Sequence, residues 1–95
     1  MKIIRWSEEK NKQLKAIKER NICFEDIVAA IENGDVLDIV EHHQKRFSNQ
    51  KILIVAVNDY VYAVPYIEDD DEIFFKTVYP SRKFKKIYLP ENSNE

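Results

Sequence analysis

Lys51 to Val57 is apolar on both of its alternating faces, and after Asn58-Asp59 a second apolar run extends from Tyr60 to Ile67. Two such runs, split by two residues that tolerate positive φ, predict a tight β-hairpin. A strand that is apolar on both sides belongs inside the sheet. A chain of 95 residues supplies one domain around such a sheet. With a tight link, Val57 pairs with Tyr60 and Val55 with Tyr62. One face then carries Leu53, Val55, Val57, Tyr60, Tyr62, Val64 and Tyr66. The other carries Ile52, Ile54, Ala56, Val61, Ala63 and Ile67. This second face is smaller and drier, so the helices are expected there, with the tyrosine face partly open.

The flanking segments fill in the rest. Lys2 to Trp6 reads as a short first strand. Ser7 is a sound N-cap for a lysine-rich helix reaching Arg20, with Glu8 and Glu9 in the dipole-favoured first turn. Phe24, Ile27, Val28 and Ile31 recur on one face of a 3.6-residue period and predict a second helix. It stops at Asn33-Gly34, where the chain's one glycine suits the left-handed position after a helix end. Val36 to Glu41 is a strand, and Ile73 to Tyr79 is expected to be the last long one. Strands following helices mean α+β: two N-terminal helices packed on one face of a small antiparallel sheet. Residues 1–89 are read as the domain and 90–95 as a frayed tail.

Cys23 is the sole cysteine, which rules out an internal disulfide and suggests a small buried hydrophobe in a reducing compartment. No stretch offers the roughly 20 apolar residues of a membrane helix, and the N-terminus has no apolar signal region. The expected location is the cytoplasm, with no membrane partner.

The formal net charge is −2, which speaks against a generally basic nucleic-acid coat. The charge is unevenly placed, however. Setting aside the five acids Glu68-Asp69-Asp70-Asp71-Glu72 turns −2 into +3. That acidic block lacks the ligand spacing of a calcium loop and reads as a solvated turn. Arg82, Lys83, Lys85 and Lys86 crowd into one basic turn after the last strand. Such a patch is either an address for a phosphate or a solvated surface. His42-His43 cannot jointly chelate a metal from one strand, since neighbours point to opposite faces. One of them is a candidate proton carrier near neutral pH. Lys45, Arg46 and Lys51 add a second basic group beside them.

Three segments resemble one family. Ile4-Arg5-Trp6-Ser7-Glu8-Glu9-Lys10-Asn11 is similar to the F-x-W-D-x-x-K-N opening of BrnT-type toxins. Ile22-Cys23-Phe24-Glu25-Asp26 resembles their V-S-F-E-E-A helix entry. Val78-Tyr79-Pro80-Ser81-Arg82-Lys83, with Tyr88 after it, resembles their I-I-S-A-R-x-A strand and terminal tyrosine. The resemblance implies a RelE-like fold and a bacterial type II toxin. That toxin would be an endoribonuclease arresting translation, neutralised by a cognate antitoxin, typically a ribbon-helix-helix DNA-binding protein. On it Lys10, Arg82 and Tyr88 fall at motif positions, and Lys51 lies near the family's basic residue on the central strand. Cleavage by 2′-hydroxyl attack needs a base, an acid and positive charge at the phosphorane. The expected catalytic set is Arg82, Lys51, Lys10, His42 and Tyr88, with no metal and no cofactor. Lys45, Arg46, Lys83, Lys85 and Lys86 would hold the RNA backbone, and Tyr60 and Tyr62 would stack its bases. The alternative is a module that binds a protein and cleaves nothing.

Overall fold

The structure, a computed structural model, describes residues 2–42, 44–47 and 49–89. The tail expected at 90–95 and His43 of the histidine pair lie outside the described residues. In chain order the elements are β1 (Ile3–Trp6), α1 (Glu8–Lys15), α2 (Phe24–Glu32), β2 (Val36–Glu41), β3 (Lys51–Val57), β4 (Tyr60–Glu68), β5 (Glu72–Phe75), β6 (Tyr79–Pro80) and α3 (Arg82–Tyr88). The sheet order is β1-β5-β4-β3-β2, with β6 also pairing β4.

The hairpin forms in the expected register, Val57 opposite Tyr60 and Val55 opposite Tyr62. Asn58 and Asp59 take φ of 52° and 64°, the doubly left-handed link that matches strand twist. Helix α2 begins at Cys23, whose amide is held by the Asp26 carboxylate at 3.0 Å. It ends at Gly34, with φ of 80°. There the Gly34 and Asp35 amides return to the carbonyls of Ile31 and Ala30.

The architecture departs from the RelE-like expectation of two helices on one face of an antiparallel sheet. The sheet is mixed, because β1 runs parallel to β5, with Ile3 opposite Glu72 and Trp6 opposite Phe75. A third helix, α3, closes the chain, and helices cover both faces. Helices α1 and α2 lie on the tyrosine face, not on the smaller one. Leu14, Ile22, Phe24, Ile27 and Ala30 pack there with Leu53, Val55, Tyr62, Val64, Tyr66, Phe75 and Val78. Tyr62 and Tyr66 are only 9% and 5% exposed, so this face is not open. The larger side chains fill the space beneath two helices. The shorter side chains of the second face, Ile52, Ile54, Val61 and Ala63, receive the single helix α3 instead.

The last long strand is also broken. Phe75 stands opposite Tyr66 and Tyr79 opposite Ala63, so the chain advances four residues while β4 advances three. The extra residue is a bulge-like offset that reverses which face each later side chain meets. Val78 therefore enters the first core, and Tyr79 turns to the second. Helix α1 stops at Lys15 rather than Arg20, and Lys18, Glu19 and Arg20 are exposed in a turn whose Arg20 and Asn21 amides return to the Ile17 carbonyl.

Asn11 is the buried polar residue of the first core, 1% exposed. Its amide nitrogen donates to Glu25 at 2.9 Å, and its oxygen accepts the Phe24 amide at 2.9 Å. It ties α1 to the first turn of α2. Cys23 is half-buried beside this joint rather than a core residue, and burial pushes its thiol pKa up.

Candidate functional site

The segment expected to be a basic turn is helix α3. Ser81 accepts the Phe84 amide at 3.1 Å as its N-cap, and the Ser81 amide bonds the Val61 carbonyl at 3.0 Å, fixing the helix start to β4. Phe84 and Tyr88, four residues apart, turn inward with Leu89 against the second face. The same geometry turns Arg82, Lys83 and Lys86 outward, and all three are exposed. Lys85 is half-buried, with its ammonium 5.7 Å from the Tyr60 ring centroid.

The far end of α3 is fastened by one carboxylate. The Tyr88 hydroxyl donates to Asp38 Oδ2, while Asp38 Oδ1 accepts the Ile39 amide at 2.7 Å. The Tyr88 bond, and then the amide, hold Asp38 below the ordinary carboxylate pKa. The same bond to Asp38, helped by partial burial, raises the phenol of Tyr88. Tyr88, expected to be catalytic, is engaged as a clasp.

Beside α3 the second face is left partly uncovered. A cavity of about 330 Å³ opens there, lined by Val40, Glu41, Ile52, Tyr79, Ser81, Lys83 and Phe84. The Lys83 ammonium sits 5.7 Å from the Phe84 ring at its wall. Burial raises the Tyr79 phenol pKa. His42 follows Glu41 at the end of β2 and accepts the Gln44 amide on Nδ1 at 3.2 Å. Lys45 and Arg46 come next, exposed in a short 3-10 turn.

The expected catalytic set is divided between the two sides of the sheet. Arg82 and Tyr88 belong to α3 on the second face. Lys10 is half-buried on α1, over the first face. Lys51 alternates with Leu53 and Val55 onto that same first face and pairs with Glu68 at 3.7 Å. Tyr60 and Tyr62, expected as stacking platforms, meet edge to face at 5.8 Å; Tyr62 lies within the first core, and burial raises its phenol. The acidic block is likewise more than a solvated turn. Glu68 binds both Lys2 and Lys51, and Asp69 caps the turn by accepting the Asp71 and Glu72 amides at 2.8 Å.

Lys2, Arg5, Lys15 and Lys51 each have a carboxylate partner. Among the described residues, Arg82, Lys83 and Lys86 have none, and neither do Lys10, Lys12, Lys18, Arg20, Lys45 and Lys76. What marks the first three is that they stand together on one short helix beside a cavity. No three His, Cys, Asp or Glu side chains converge as a metal site among the described residues. No described helix is long and apolar enough to cross a membrane. Sequence reasoning missed Asp38, Tyr79 and Phe84. The spacing of Phe84 and Tyr88 carried a helix signal that the surrounding basic charge obscured.

A family model described as a domain of unknown function, DUF4258, matches residues 10–80, and the chain belongs to that family. No curated protein and no solved structure matches the chain significantly.

Proposed function

We propose that this DUF4258 protein acts on RNA, as a translation-arresting endoribonuclease toxin of the kind its sequence resembles, with α3 as its phosphate-binding surface. The observation that carries this reading is the set of cations on α3, Arg82, Lys83 and Lys86, left without a carboxylate partner among the described residues. Uncompensated cations on one helix attract a polyanion, and an exposed guanidinium grips phosphate oxygens in a fork. The adjoining cavity, with Tyr79 and Phe84 in its wall, supplies aromatic surface beside that charge. In this reading the 2′-hydroxyl attacks phosphorus, its proton passes to a base, and the bond to the 5′-oxygen breaks as that oxygen takes a proton. Arg82 offsets the charge gathering on phosphorus, and His42 carries a proton. Tyr88 keeps α3 in position. The protein works in the cytoplasm, and a cognate antitoxin, of the ribbon-helix-helix DNA-binding kind, silences it.

A second reading has its own support. Lys51 and Tyr88 are each engaged by a carboxylate, and Lys10 lies over the opposite face. That dispersal favours a module that binds a protein and cleaves nothing.

Controlled expression with and without the neighbouring gene product, followed by mapping of RNA ends, separates the two. Arg82→Ala is expected to abolish growth arrest and weaken single-stranded RNA binding while leaving the melting temperature unchanged, because its side chain is exposed. Growth arrest undiminished in a folded Arg82→Ala chain removes Arg82 from the mechanism. Expression without growth arrest and without new RNA ends selects the module.

A further inference from the structure

The stretch from Asn21 to Gln44 contains six acids, Glu25, Asp26, Glu32, Asp35, Asp38 and Glu41, and no Lys or Arg. It folds into α2 and β2, and β2 is an edge of the sheet, paired on one side with β3. Two of the chain's exposed large hydrophobics stand on this strand, Val36 and Ile39, the latter 52% exposed. Both share the first face with α2, which packs over β3 and leaves them uncovered. An edge strand with exposed apolar side chains is a surface that protects itself or recruits a strand.

The protection here is partial. Asp38 occupies the Ile39 amide, so an incoming strand finds that donor already engaged. At the Val36 end, Asp26, Asn33, Asp35 and Asn58 line a notch of about 210 Å³ that continues the acidic rim. A second copy of the chain is a poor occupant. Antiparallel pairing of β2 with itself brings Asp38 and Glu41 of both copies to one seam with no cation between them. A neutral strand gains apolar contact but leaves the carboxylates uncompensated.

We infer that the β2 edge is a docking surface for an extended segment of another protein in which Lys or Arg alternates with apolar residues. The apolar side chains cover Val36 and Ile39 on the first face, and the alternating cations lie on the other face beside the Asp38 carboxylate that Tyr88 already holds, with Asp35 at the start of the strand. This surface adjoins α3, since Asp38 holds Tyr88 and Glu41 lines the cavity beside that helix, but it is opposite to α3 in charge and needs no RNA bound there.

The test titrates the full chain with a peptide of alternating Lys and Val about eight residues long, a typical strand length, and follows backbone amide resonances. Shifts are expected at Val36–Glu41, with binding weakened by salt. Ile39→Lys should weaken binding by about tenfold or more, as a like charge at a docking seam does. Asp35→Lys changes an exposed carboxylate outside the strand and should weaken binding in the same direction, which keeps the test informative if Ile39→Lys melts early. A Lys-Ser peptide of equal charge should bind less tightly. The inference is overturned if the Lys-Val peptide does not bind, if the Lys-Ser peptide binds equally well, or if the shifts fall elsewhere. It is equally overturned if the chain alone is a dimer that Ile39→Lys dissociates.

Discussion

The same two strands, β3 and β4, present one face to α1 and α2 and the other to α3, and the two faces are finished differently. The first is sealed. Its core joins side chains from six elements, Trp6 stacks on Phe24 and Phe75 with ring centroids 5.3 and 6.3 Å away, and its buried asparagine is bonded through both ends of its amide. The second is half-finished. One short helix crosses it, a phenol–carboxylate bond fastens its far end, and a cavity remains beside it. The difference separates stability from availability: the first face holds the fold, and the second has room and unpaired charge to spend on a ligand.

The largest effect should come from breaking the first face. Phe24 is fully buried between Trp6 and Phe75. Phe24→Ala should cost about 3–5 kcal/mol, a large part of the stability of a domain this size. Urea unfolding measures this; a loss no greater than that of an exposed-site variant would mean that the first face is not the dominant core. Next is Asn11→Ala, which strands the Phe24 amide in a dry site. The expected cost is about 1–3 kcal/mol, the desolvation penalty of an orphaned buried donor. A neutral result in the same titration would show that water or a rearranged α2 satisfies that amide.

The smallest and most specific effect concerns the second face. Asp38 sits below its ordinary pKa of 3.8, so its contribution is present above that value and lost as pH falls through the lowered folded value. Tyr88 sits above its ordinary 10.0, so its contribution is present below that value and lost as pH rises through the raised one. The gap in melting temperature between the natural chain and Tyr88→Phe should therefore be level from about pH 5 to about pH 9 and close outside that window, given ordinary carboxyl and phenol ranges. A gap that persists at both extremes would assign the effect to packing of the ring instead of to the clasp.

Much of the local structure was readable. Asn58-Asp59 between two apolar runs set the hairpin and its register, because few residue pairs tolerate two positive φ angles in succession. Phe24, Ile27 and the Gly34 stop set α2 for equally local reasons. The candidate site was readable only as charge. Basic residues from Arg82 to Lys86 announced an anion-attracting segment, but a charge count does not distinguish a turn from a helix. It also does not reveal that Lys51 faces Glu68 while Arg82 has no such partner.

What the sequence determined by itself is therefore what depends on neighbours along the chain: strand alternation, helix period, caps and turns. Three matters were decided only by the tertiary structure. Which sheet face receives α1 and α2 follows from how large side chains, Tyr62 and Tyr66 among them, fill the space under two helices, a fit between distant segments. The one-residue offset between Phe75 and Tyr79 arises from pairing with β4, and it sends Tyr79 to the second face, where the cavity forms. The division of cations into paired and unpaired depends on which carboxylates the fold brings near, and Glu68 reaches Lys2 and Lys51 across the sheet, while Arg82, Lys83 and Lys86 are given none among the described residues.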